Sequence, residues 1–126
     1  MKRIAIFYCK KIKDHTCIAC TKCFKGASNR EGEFAQYDDD IEIVALTDCG
    51  DCPGLLYPRI PMILGAVKNM GVEVDAVHFG SCIKMAYEHG YCPMEVDEVA
   101  AKAGNILDIP VIIGTHPYEP YMAFRK

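Results

Sequence analysis

Two cysteine spacings carry most of the chemical information in this chain: "CGDC" at Cys49 to Cys52 and "CIACTKC" at Cys17 to Cys23. A C-x2-C turn can offer two thiolates from one short loop to a metal such as zinc, which needs three or four soft ligands converging at about 2.0 to 2.3 Å. The same spacing can serve as a dithiol pair that cycles through a disulfide. The C-x2-C-x2-C run also matches part of the ligand pattern of iron-sulfur proteins, with the fourth cysteine then supplied from elsewhere in the chain. A lone cysteine is most often a small buried hydrophobe. Eight of them, falling after apolar runs or in loops, point instead to metal binding or thiol chemistry.

The elements that must position these thiols follow from hydrophobic patterning. Four β-branched and aromatic runs predict strands: Arg3 to Tyr8, Ile41 to Leu46, Val74 to Phe79, and Ile109 to Thr115. Apolar residues at three- and four-residue steps predict helices over Tyr57 to Met70, with Pro58 and Pro61 near its start, and over Met94 to Leu107, with Pro93 in its first turn. Gly26 and Gly32 interrupt a third helical stretch, Cys20 to Tyr37, so it is expected in two pieces. Alternating strands and helices predict right-handed crossovers. The expected fold is a small three-layer α/β domain, Rossmann-like or flavodoxin-like, with a parallel sheet of about four strands spanning residues 1–126.

In such a sheet the loops at the carboxyl ends of the strands share one edge, where these folds bind ligands. Cys9 follows the first predicted strand, Cys49 and Cys52 the second, Cys82 the third and His116 the fourth. Cys49 and Cys52 are therefore expected to be a chelating pair, with Cys9, Cys82 and His116 closing the site. Cys17, Cys20, Cys23 and Cys92 are expected to form a second site or a lid. His78, inside the third strand, is expected to be packed, and His15 and His89 to face solvent.

Composition narrows the function classes. The 126 residues are 51% hydrophobic and 25% charged, as in an ordinary globular domain. A net charge of -3 offers no basic face for nucleic acid. No apolar run is long enough to span a bilayer and the N-terminus lacks a signal-peptide core, so a cytoplasmic protein is expected. In a reducing compartment a disulfide framework is not expected. The first strand runs into "CKKIKD", so there is no glycine-rich nucleotide turn and no arginine for a C-x5-R phosphate cradle. Thiol-disulfide exchange by Cys49 and Cys52 is the main alternative to metal binding. Against it, a thioredoxin-like arrangement needs an antiparallel hairpin, and Pro58 and Pro61 start the next helix too far past Cys52 for its dipole to act well on Cys49. A third possibility is a non-catalytic partner-binding domain whose contact surface would be the tail "HPYEPYMAF".

Taken in order, Cys9, "CIACTKCFKGASNREGEF", "VALTDCGDCPG", "HFGSCIKM", "GYCPMEVDEV" and the terminal "GTH" resemble the CGGC-domain family of small prokaryotic proteins along nearly the whole chain. The resemblance implies a metal site, commonly taken to be zinc, built from cysteines and histidines, with no settled reaction. Asp51 replaces the second glycine of the signature. Glycine there would permit a positive φ, which aspartate tolerates better than most residues. Asp51 could also supply an oxygen ligand or a hydrogen bond to one.

Overall fold

The computed structural model describes residues 1–12, 18–52 and 54–117. Four strands form one parallel sheet: β1 (Lys2–Tyr8), β2 (Ile41–Asp48), β3 (Ala76–Phe79) and β4 (Val111–Ile113), in the order β2-β1-β3-β4. Between them lie α1 (Thr21–Asn29), α2 (Leu56–Asn69), α3 (Ser81–Glu88) and α4 (Val96–Leu107), with short 3-10 turns at Ile18–Cys20 and Gly32–Gln36. This is the α/β architecture that the sequence predicts, and the third helical stretch is indeed in two pieces.

Side-chain alternation along β1 builds two separate cores. Ala5 and Phe7 face a large cluster with Leu56 and Ile60 of α2, Ile83 of α3, and Val96 and Val99 of α4. Ile4 and Ile6 face the other way, onto Cys23 and Ala27 of α1 and onto Phe34. All four β1 residues are fully buried, as a strand covered on both faces must be. Each large apolar side chain withdrawn from water contributes roughly 1.5 to 3 kcal/mol.

A β-bulge in β2 decides which core each residue after it joins. Ile4 pairs with Ile43 but Ala5 pairs with Ala45, so Val44 is the extra residue. Before the bulge Ile41 and Ile43 pack on the α1 side; beyond it Ala45 and Cys49 lie with the α2, α3 and α4 cluster, and Leu46 takes the α1 side. Because strand side chains alternate with period two, one inserted residue flips every later one to the opposite face. The bulge thus carries Cys49 to the face it occupies.

Three details differ from the sequence pattern. Helix α3 lies where only a loop is expected; five of its eight residues are buried, so it lacks the polar face that would announce it. Pro93 precedes α4, which starts at Val96. Pro61 sits inside α2, exposed, where its ring nitrogen cannot donate to the preceding turn. Among the described residues no helix is long and apolar enough to cross a membrane.

On the α1 side, His78 of β3 is fully buried, as expected. Its Nδ1 lies 2.8 Å from the Gly114 carbonyl oxygen, which can only accept, so Nδ1 carries the proton. Nε2 then accepts from the Tyr37 hydroxyl at 2.7 Å. Phe34 and Tyr37 flank the ring at centroid separations of 4.9 and 5.6 Å. Burial holds His78 below its ordinary 6.5, against the opposing pull of the Gly114 carbonyl and Glu33. Burial also pushes the Tyr37 hydroxyl up to about 12, helped by Asp75.

Two predictions follow from this face. A depressed histidine pKa makes stability fully present above 6.5 and progressively lost as pH falls through the folded-state value. His116, depressed by burial and then by Lys22, acts in the same direction. The melting temperature should therefore fall between about pH 7 and pH 5, where carboxylates contribute little, and His78→Gln should show a shallower fall over that window. Gly32 has φ +60°, and an added Cβ would collide with the Thr115 carbonyl oxygen and lie 2.7 Å from the Pro117 nitrogen. Gly32→Ala should cost about 2 kcal/mol or more in chemical denaturation.

Candidate functional site

The strand order creates a crevice before any cysteine is considered. From β1 the chain leaves over the α1 face to reach β2; from β3 it leaves over the opposite face through α3 and α4 to reach β4. Adjacent strands whose connections depart to opposite faces leave a gap at their carboxyl ends. Cys9 follows β1 and Cys82 lies in the first turn of α3 after β3, so the two residues flank that gap. The Cys9 amide donates to the Cys82 sulfur across it at 3.0 Å.

Cys49 enters from β2. Its amide continues the ladder by donating to the Tyr8 carbonyl at 3.1 Å, and its carbonyl accepts from the Leu55 amide at 2.7 Å. The loop thus closed contains Gly50 at φ +87° and Asp51 at φ +68°. Aspartate thus adopts left-handed backbone at the position where the resembled signature has its second glycine. The Asp51 carboxylate lies 2.8 Å from the Cys52 amide and 3.9 Å from Lys10 Nζ. Cys49 is buried while Cys52 stands exposed at the tip.

Cys92 is brought in by a contact that spacing does not signal. Gly54, at φ +102°, has no side chain, and a Cβ there would overlap the Met94 side chain. This close approach joins the segment after Cys52 to the segment after Cys92. Burial raises the Cys9 thiol pKa, opposed by the Ile12 and Lys11 amides and reinforced by charge on Cys49 and Cys92. Burial likewise raises Cys92, against the Met94 amide and with reinforcement from Cys49 and Cys52. Cys49 is the neighbour common to both. Cys9 and Cys92 therefore favour their neutral forms.

The remaining candidates gather at α1. Cys20 and Cys23 are buried. Cys23 Sγ lies 3.2 Å from Thr115 Oγ1. Thr115 and Ser81 are tied reciprocally: the Ser81 amide reaches Thr115 Oγ1, and the Thr115 amide reaches Ser81 Oγ, each at 3.0 Å. Ser81 Oγ also donates to the His116 carbonyl at 2.5 Å. His116 is buried, its Cβ 3.2 Å from where a Cβ on Gly26 would stand, and its Nδ1 donates to the Pro117 carbonyl at 2.7 Å. Ala19 and Cys20 both have left-handed backbone, at φ 53° and 58°, a conformation that costs non-glycine residues roughly 1 to 2 kcal/mol each. Cys17 and His15 lie outside the described residues, and His89 is exposed.

The candidates thus fall into two groups. Cys9, Cys49, Cys52, Cys82 and Cys92 belong to the crevice, and Cys20, Cys23 and His116 to the α1 side. The sequence pattern pairs His116 with the first group and Cys92 with the second. Residues that it passes over are Arg59 and Asp48, which brace the loop, and Gly54 and Met94, which draw in Cys92. The thiols suit a soft cation in chemistry. Among the described residues, no three histidine, cysteine or acidic side chains already stand close enough together to hold one.

Comparison with known proteins gives the chain its relatives. The CGGC domain model matches residues 3–116. An uncharacterised protein of Methanocaldococcus jannaschii is 36% identical over 118 residues, covering 90% of this chain and 86% of that protein. No solved structure matches. The model match runs from the first strand through the "GTH" segment, with Asp51 in the signature loop, and on it the chain belongs to the CGGC domain family.

Proposed function

We propose that this protein binds a soft metal ion, zinc foremost and an iron-sulfur cluster as the alternative, at the crevice between β1 and β3. Cys49, Cys9, Cys52 and Cys92 would hold it, with Cys82 bracing the Cys9 loop from beneath. The observation that carries the reading is the set of contacts that bring the cysteine-bearing segments to one edge: the Cys49 amide bonds the Tyr8 carbonyl, the Cys9 amide bonds the Cys82 sulfur, and Gly54 packs against Met94 beside Cys92. Three separate segments thus bring thiols to one edge of the sheet, an arrangement a packed core does not need. The present spacing is open, so the exposed Cys52 tip would close on the metal when it binds. A metal held by four thiolates is saturated, whereas one held by three keeps a position for water or substrate.

Thiol-disulfide exchange by Cys49 and Cys52 is less well supported. Helix α2 begins at Leu56, with Leu55 as its N-cap, so neither cysteine lies in its first turn, where the dipole acts most strongly.

Elemental mass spectrometry on untagged protein purified without oxygen should find near-stoichiometric zinc, or iron if a cluster is the native form. Cys49→Ser should weaken metal affinity by more than about a hundredfold, the upper range for loss of a supporting residue. A chelator should lower the melting temperature of the loaded wild type and leave that variant unchanged. Absence of metal after reconstitution with both zinc and iron, together with a reductase activity lost in Cys49→Ser, would transfer the assignment to thiol-disulfide exchange.

A further inference from the structure

Helix α2 sends one polar side chain back to the end of β2. Arg59 Nε donates to the Asp48 carbonyl at 3.1 Å, and its Nη2 donates to Thr47 Oγ1 at 2.8 Å and lies 3.5 Å from Asp48 Oδ1. The same Asp48 oxygen accepts from the Gly50 amide at 2.7 Å. Both side chains are about three-quarters covered, at 24% and 22% exposure. The guanidinium therefore grips the last two residues of β2 from the first turn of the next helix. Between those two anchors lies the loop that bears Cys49 and Cys52.

We propose that Arg59 is a positioning residue that fixes the base of the Cys49 to Leu55 loop, so that Cys49 stays turned into the crevice. The planar fork of arginine suits this task, because two nitrogens address a carbonyl and a hydroxyl at once while the aliphatic stem packs over Gly50, where a Cβ would lie 2.9 Å from Arg59 Cδ. Lysine offers a single nitrogen and cannot span both. The Leu55 amide bond to the Cys49 carbonyl and the Arg59 amide bond to the Leu55 carbonyl, at 2.7 and 3.0 Å, complete the brace. Cys52 lies outside it, at the exposed tip. The inference concerns the loop itself, and only its affinity consequence rests on the metal-binding reading.

The test compares Arg59→Met, Arg59→Lys and Asp48→Asn with the wild type. In metal-free protein, iodoacetamide labelling is followed cysteine by cysteine by mass spectrometry. Cys23, equally buried on the opposite face at 5% against 6% for Cys49, is the internal control. Arg59→Met and Arg59→Lys should both raise the labelling rate of Cys49 relative to Cys23 by roughly tenfold, the mark of local opening without global unfolding. Cobalt titration, read from the thiolate charge-transfer absorption, should show affinity reduced roughly 10- to 100-fold in both. Asp48→Asn keeps an oxygen for the Gly50 amide as well as the backbone carbonyl for Arg59, and should stay near wild type in both readouts.

An unchanged ratio of Cys49 to Cys23 labelling in Arg59→Met overturns the proposal. If that variant loses its far-ultraviolet helical signal, Arg59→Lys decides by the same ratio. An Asp48→Asn as open as Arg59→Met overturns the role given to the carbonyl and hydroxyl bonds. A wild type that takes up no cobalt counts against the metal-binding reading alone, since the labelling ratio still decides the part played by Arg59.

Discussion

Opposite departures of the chain from β1 and β3 are the constraint on which the rest of the molecule depends. Two neighbouring parallel strands cannot send their connections to opposite faces without leaving their carboxyl ends uncovered. What fills the gap here is the Cys9 amide bonded to the Cys82 sulfur, a contact that joins the two departing loops at the point where they diverge. Everything placed around it comes from a third direction. The β2 loop enters beside β1, and the segment before α4 arrives through the contact of Gly54 with Met94. Sheet topology thus collects thiols from parts of the chain that are far apart in sequence.

Electrostatics separates the two sides of the sheet. On the crevice side burial raises the Cys9 and Cys92 thiol pKa values, with charge on neighbouring cysteines adding to it, and no described basic residue is buried among them. On the α1 side the buried groups are histidines held neutral by burial, a serine and a threonine, satisfied by carbonyls and by each other. The first environment favours the neutral form of those two thiols. The second is locked by hydrogen bonds and ties β4, α1 and the start of α3 together.

Much of the fold was legible because it rests on patterns of period two and near four. Strands β1 and β2 and helices α2 and α4 show their apolar repeats openly, and the stretch before β2 is in two pieces as expected, although Gly26 lies inside α1 and the break falls at Arg30 and Glu31. Helix α3 was not legible, since Ser81, Cys82, Ile83, Met85 and Ala86 are buried together and leave little polar contrast to read. The candidate site was legible as a set of thiols at one sheet edge. Its partition was not, because the side on which His116 or Cys92 falls depends on which face each loop crosses. The brace by Arg59 was hidden for a different reason: an arginine in a first helical turn reads as solvated until the strand end beneath it is seen.

The bulge at Val44 bears on how such a chain can change over time. Any alteration in the length of β2 by a single residue would exchange the two faces downstream, turning the cysteine loop toward α1 and leaving the crevice with fewer thiols. Substitutions within the strand carry no such consequence, because they alter packing while parity is preserved. Sequence drift in β2 is therefore cheap and insertion or deletion is not. Relatives that keep this thiol arrangement should be recognisable by the count of residues from the start of the strand that pairs with β1 to the cysteine that follows it, even where the letters between have all been replaced.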